Sequence, residues 1–276
     1  MFSIENHQTG GVTPPSLGSA SAASAASAAA PSPATSAPRT ARDRVRDEVT
    51  REILVVAGAH LAREGAAALS LRSIARDLGM VPSALYRYFD GRDALLSALI
   101  LSAYTSLADE AERAGDAAAG RPMTDADRWA AVPLAVRTWA LARPHEWGLL
   151  FGSPVPGYRA PEETVVPYGR LATAFVRPVA EAYRGGRLHQ PPNTTVTPTV
   201  VAATPTALDA ALAPVREALF ADAPSSMVVL VLQVWCSLIG SISLELFGHW
   251  RNTVLDPGLF FGQIVTVWGQ ELGLAA

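Results

Sequence analysis

The chain has 276 residues, 49% of them hydrophobic and 17% charged, with a net charge of −3, enough apolar material for one or two cored domains. All 22 basic residues are Arg, so P-loop lysines, Schiff-base lysines and Ser-Lys dyads are excluded. A single cysteine, Cys236, rules out an intrachain disulfide or a cysteine metal framework and favours a reducing, cytoplasmic setting.

Residues 1–38 are Ala-, Ser- and Pro-rich with almost no charge or bulk. They predict a disordered tail, and the polar N-terminus has no apolar core of a secretory signal. From Thr40 the pattern changes: Val45, Val49, Ile53, Val56, Ala57 and Leu61 recur at helical spacing and predict a helix over 42–64. Thr40 and Asp43 resemble a capping box. Ser70 offers an N-cap for a short helix carrying Leu71, Ile74, Ala75 and Leu78, stopped at Gly79. Pro82 suits the first turn of a helix over 82–88. Asp90 and Asp93 suggest a second box-like cap before a helix over 92–114.

Further helices are predicted over 124–142, 161–184, 206–221, 225–249 and 257–272. Pro144–Ala160 reads as a helical turn followed by a Gly/Pro loop. Pro167 and Pro178 should kink or delimit the 161–184 helix, and 185–205 reads as a mobile loop. The apolar run Met227–Phe247 is long enough to raise a membrane question. Gln233, Ser237, Ser241, Ser243 and Glu245 interrupt it, which favours a buried helix, with Cys236 buried and inert in it and no membrane as a partner. No segment alternates as a strand does. The fold class is therefore all-α.

Charge is unevenly spread. Residues 39–92 hold ten Arg and seven acidic residues, a balance of +3, whereas 93–276 hold twelve Arg and seventeen acids, a balance of −5. A basic module on an acidic body suits DNA reading. Two short helices joined at Gly79, the second opening on the small residues Val81, Pro82, Ser83 and Ala84, suit a helix-turn-helix. The first residues of such a recognition helix reach base edges.

The runs Arg72-Ser73-Ile74-Ala75-Arg76-Asp77-Leu78-Gly79, Ser83-Ala84-Leu85-Tyr86-Arg87-Tyr88-Phe89 and Arg92-Asp93-Ala94-Leu95-Leu96 resemble the N-terminal domain of the TetR family of repressors over about residues 42–107. Arg143-Pro144-His145-Glu146-Trp147, Phe151-Gly152-Ser153-Pro154 and Leu246-Phe247-Gly248-His249 resemble one subgroup's C-terminal part. The resemblance implies a three-helix DNA-binding domain over 39–92 and a helical ligand-binding and dimerisation domain over 93–276. It implies a phosphate contact for Tyr86 and for Arg92, and base-edge positions for Val81, Pro82, Ser83, Ala84 and Tyr88. Arg42, Arg44 and Arg46 would neutralise phosphates, with Arg72 and Arg87 on the same surface. Valine, proline and alanine can touch thymine methyls but cannot read donor–acceptor patterns, so shape readout gains weight. Phe89 reads as core.

The resemblance also implies double-stranded DNA with a palindromic operator as a partner, and a homodimer through 225–249 and 257–272. Ser237, Gly240, Ser241 and Gly262 would permit close helix approach. A small-molecule ligand is the third expected partner. Aromatic walls with a few polar tips make Trp139, His145, Trp147, Phe151, Tyr158, Phe175 and Trp235 the ligand-site candidates. No cofactor or metal is expected. There is no GxSxG, HExxH, CxxC or GxGxxG pattern, so an enzyme is not expected. The function expected is a dimeric repressor that a small hydrophobic or aromatic ligand releases from DNA. Two alternatives stand beside it: a ligand-independent DNA-binding regulator, and a hydrophobic-ligand-binding protein whose DNA reading has degraded.

Overall fold

A computed structural model describes residues 40–189 and 205–275. The expected tail over 1–38 and most of the expected loop over 185–205 lie outside the described residues. From Arg42 onward the chain forms one compact unit. The described helices are α1 (Ala41–Glu64), α2 (Leu71–Asp77), α3 (Pro82–Leu85), α4 (Arg92–Ala119), α5 (Asp125–Ala142), α6 (Pro144–Phe151), α7 (Val165–Arg184), α8 (Pro205–Leu219), α9 (Ser225–Leu246) and α10 (Pro257–Glu271). Among the described residues there is no strand, and the fold is all-α.

Turn chemistry explains the entries and exits. Gly79 has φ 66°; its N–H bonds the Arg76 carbonyl at 3.1 Å and the Met80 N–H bonds that of Ala75 at 2.8 Å. These are the paired bonds of a left-handed helix stop, which a side chain at Gly79 would strain. The cap expected from Asp90 and Asp93 does not form. Gly91, with φ 108° and ψ −179°, is the N-cap of α4 and no side chain bonds there. Asp90 therefore lies one residue too early to reach the first amides. Ser70 does occupy the N-cap position of α2, but without a side-chain bond. α3 ends sooner than the expected 88, and its last residues continue as turns closed by Arg87 N–H to Ala84 and Tyr88 N–H to Leu85. In α7, Pro167 sits in the first turn and Pro178 inside the helix, which runs on to Arg184.

Burial divides the molecule into two cores. The first joins Ile53 and Ala57 of α1, Ile74 and Ala75 of α2, Leu85, Phe89, and Leu95, Leu96, Leu99 and Ile100 of α4. The second joins Ala103, Leu107 and Ala111 of α4 to Trp129, Trp139, Trp147, Leu171, Phe175, Val234, Leu238 and Phe261. α4 thus serves both. Its C-terminal half is tied to α7 by Arg170, whose guanidinium bonds Glu112 at 3.0 Å and Asp109 at 2.6 Å, and by Arg177, which bonds Asp116 at 2.6 Å. Arg137 ties α5 to α9 with a two-pronged grip on Glu245, at 2.8 and 2.6 Å.

α9 is long and apolar enough to cross a membrane, yet only 39% of its most apolar window is buried. One face, Val231, Val234, Leu238 and Ile242, enters the core, while Gln233, Leu244 and Phe247 face outward. Cys236 is exposed, contrary to the expectation of burial. It lies two residues from both Val234 and Leu238, which on a helix is the opposite side.

Candidate nucleic-acid interface and internal cavity

The start of α3 stands clear of the protein. Val81 is 65% exposed and Tyr86 50%; Pro82, Ser83 and Arg87 are exposed and Ala84 half-buried. Leu85, with no exposed surface, and Phe89, at 6%, pin the segment to the first core. Arg42 and Arg44 are exposed on the first turns of α1, and Arg72 on α2. Arg46 is exposed but engaged: its guanidinium lies 5.3 Å from the centre of the half-buried Tyr88 ring and donates to the Arg87 carbonyl at 3.3 Å. It thereby fastens α1 to the end of α3. Arg92, expected at phosphate, donates to the Ala66 and Ala67 carbonyls at 2.9 and 3.3 Å. It holds the Ala66–Ala68 turn to the start of α4.

One residue here escaped the sequence reading. His60 is 3% exposed, and its Nε2 lies 2.7 Å from Asp77 Oδ2 at the end of α2. Its Nδ1 has no hydrogen-bond partner, and Glu64 Oε1 stands 3.7 Å away. His60 therefore clamps α1 to the helix that precedes the Gly79 turn. Its spacing from Ile53 and Ala57, seven and three residues on, was the available signal.

A cavity of about 100 Å³ lies among α7, α8 and α9, walled by Tyr168, Ala172, Phe175, Leu219, Val231 and Trp235 and their apolar neighbours. Of the residues that wall it, Tyr168 and Trp235 alone carry a side-chain polar atom. Phe175 and Trp235 were expected at a ligand site; the other five candidates do not line this cavity. Trp139 is 3% exposed, donates to Ser106 at 3.0 Å and carries the Arg143 guanidinium 5.6 Å from its ring centre. Trp147 is fully buried, donates to Ser243 at 3.1 Å and packs on Phe151. The Tyr158 hydroxyl bonds that of Ser97 at 2.9 Å, and its ring rests on the first core. These aromatics are committed to packing because their polar tips are already satisfied inside the protein. His145 is exposed on the wall of an open groove between α1 and the α5–α6 corner. Beside it, burial pushes the Glu146 carboxyl above its ordinary range, partly opposed by Arg143. Tyr168, Ala172 and Leu219 were not expected; only the apolar stripe of their helices hinted at them.

An unbroken series of ring contacts leads away from the cavity. Phe175 meets Trp235 at 5.2 Å, Trp235 meets Tyr168 at 6.2 Å, and Tyr168 meets Tyr104 of α4 at 5.8 Å. Tyr104 in turn meets Phe151 at 6.0 Å. Burial, with Tyr168 beside it, pushes the Tyr104 phenol upward. Among the described residues no group of three or more His, Cys, Asp or Glu is arranged to hold a metal ion.

Residues 53–99 match the family described as bacterial regulatory proteins, tetR family, and residues 129–267 match the tetracyclin repressor-like C-terminal domain. The HTH-type transcriptional regulators Rv1816 of Mycobacterium tuberculosis and Mb1846 of Mycobacterium bovis are each 37% identical over 226 residues, 80% of this chain and 90% of theirs. The crystal structure of SCO4313, described there as a regulatory protein, has a TM-score of 0.65 at 36% identity, covering 83% of this chain and 98% of that one. A tetR-family regulatory protein from Rhodococcus RHA1 shares the fold, with a TM-score of 0.53 at 17% identity over 83% of this chain and 99% of that one.

Proposed function

Because the chain belongs to the TetR family of DNA-binding transcriptional regulators, we propose that it is a dimeric repressor released from its operator by a compact, uncharged, largely apolar ligand. The observation that carries this reading is the pairing of an exposed recognition helix with a separate cavity whose walls are hydrocarbon and aromatic.

The reading assigns base edges to Val81, Pro82, Ser83, Ala84 and Tyr88, and phosphates to Tyr86, Arg42, Arg44, Arg72 and Arg87. Arg46 and Arg92 act first as fasteners that hold this surface in register. The first turn of α4, with no side chain capping it, keeps amide donors available for phosphate. Exposed valine and proline at the tip of α3 support reading by methyl contact and groove shape over hydrogen-bond patterns.

Dimerisation through α9 and α10 is supported by their outward faces. Leu244 is 42% exposed, Phe247 50%, Leu259 75% and Val267 39%, an apolar surface unusual for a monomer. A Cβ at Gly240 or Gly262 would meet nothing within 4 Å, so a second copy could approach closely there. Two recognition helices in such a dimer would reach half-sites one helical turn apart or a multiple, roughly 34–36 Å. The ligand must bind the released state better than the DNA-bound state.

The test is DNA retention by the full chain across a panel of compact, uncharged aromatic and aliphatic molecules. At least one should release the DNA, and Trp235→Ala should weaken its binding. A molecule that binds the cavity and leaves DNA affinity unchanged contradicts the release mechanism.

A further inference from the structure

The two cores are joined by the continuity of α4 and by a small number of side chains, and one of these also walls the cavity. Tyr168 lines the cavity from α7. Its ring is 6.2 Å from that of Trp235, which packs on the second core, and 5.8 Å from that of Tyr104, which packs on the first. Tyr168 is 39% exposed, and neither it nor Tyr104 has a side-chain hydrogen bond among those described. The two rings meet edge-on. The rest of the α4–α7 contact is second-core packing, with Ala103, Leu107 and Ala111 of α4 in one cluster with Leu171 and Phe175 of α7, together with the ion pairs of Arg170 and Arg177 at the C-terminal half of α4.

We propose that Tyr168 is the residue through which occupation of the cavity is felt by the DNA-reading half, and that its contact with Tyr104 is the coupling contact. This rests on the ligand reading above. A molecule seated against Phe175 and Trp235 must share the space with the Tyr168 ring. The Tyr168 ring lies between Trp235 and Tyr104 with its remaining surface open, so an occupant beside Trp235 shifts it against α4 or away from it. Tyr104 lies three turns into α4, on the side that meets the first core, and a shift there reaches Leu99, Ile100 and the seat of α3. Second-core packing from Ala103 onward and the ion pairs further along keep the distal part of α4 with α7, so the displacement is borne by the part of α4 that precedes them. Tyr168 carries one of the two polar side-chain atoms among the wall residues. The cavity therefore favours an apolar body carrying one hydrogen-bonding group.

The experiment uses benzene as the probe, since apolar cavities of this order of size take up such a molecule. Binding to the full chain is followed by calorimetry, and its consequence by hydrogen exchange of amides in residues 82–104. In the wild type, benzene should change exchange in that segment by at least ~5-fold, the lower end of ordinary coupling. Tyr104→Leu, which does not alter the cavity wall, should leave benzene affinity unchanged and abolish the exchange response; Tyr104→Phe should keep both. If Tyr104→Leu fails to fold, Tyr168→Leu, at a partly exposed position on the cavity wall, takes its place at benzene concentrations adjusted to equal occupancy by calorimetry, with the same expected loss of response. An unchanged response in the leucine variant overturns the coupling contact while leaving the ligand site standing. Absence of benzene binding to the wild type overturns the ligand reading and the coupling with it.

Discussion

The two cores differ in how they are built. The first is aliphatic and small, held by Ile53, Ile74, Leu85, Leu95 and Leu96, each without exposed surface, with one buried titratable residue, His60. The second is aromatic, with Trp129, Trp147 and Phe175 fully buried, and its helices are cross-braced by Arg137, Arg170 and Arg177. The first needs a rigid presentation of a few side chains to a groove, and short aliphatic packing supplies it. The second has space beside its rings, because flat, bulky side chains fill a bundle less evenly than branched aliphatics do. The surface around α3 is fixed by local turns and fasteners, the cavity by how the long helices stack.

The comparison can be broken at its braces. Arg137→Ala leaves Glu245, 11% exposed, without its partner beside α5. Stranding one member of a largely buried pair costs on the order of 3 kcal/mol, so urea unfolding should show that loss; a loss near zero would mean that α5 and α9 are held by packing alone. In the first core, His60→Ala removes the clamp on Asp77. The expected cost is about 1–3 kcal/mol, that of a lost bond and an unsatisfied group, with faster amide exchange in α2 and α3 and little change in α7. Equal effects in both cores would erase the distinction drawn between them.

Smaller effects sharpen the same contrast on the surface. Tyr86→Phe should weaken DNA binding by about 1 kcal/mol, the net value of one hydrogen bond, with the melting curve unchanged. Arg44→Ala should lower the salt slope of DNA binding by ~0.9, that of one phosphate contact. Glu146→Gln is expected to have the least effect. Burial holds the Glu146 carboxyl above its ordinary value of 4.5. Its stabilising contribution is therefore present below that value and is lost as pH rises through the raised one. Glu146→Gln should give a slight rise in melting temperature at pH 7 and none at pH below the ordinary carboxylate range.

Legibility in the sequence follows the same division. The Gly79 stop, the proline opening α3 and the buried Leu85 and Phe89 are local signals, and the DNA-reading half could be laid out from them. The long helices were also legible from periodicity, because each buries one stripe. The caps were read less well: Gly91, with its positive φ, displaced the expected Asp90, while Asp256, whose carboxylate accepts from the Leu259 N–H, was an overlooked signal just before Pro257. The cavity was the least legible part. Trp139, Trp147 and Tyr158 have the composition of ligand-site residues, but whether an indole or phenol faces a void or a serine depends on neighbours far away in sequence, such as Ser106, Ser243 and Ser97. Cys236 was misjudged for a related reason: the apolar run of α9 hides the fact that only one of its faces meets the core.

The central claim is that the exposed start of α3, doubled by a second copy of the chain, reads DNA. The most direct measurement is selection of random or genomic DNA by the purified full chain at moderate salt, followed by sequencing of what is retained. The expected result is enrichment of a two-fold symmetric site whose half-sites lie about one helical turn apart, or a multiple of that. Recovery of unenriched sequence by a folded, dimeric sample would contradict it.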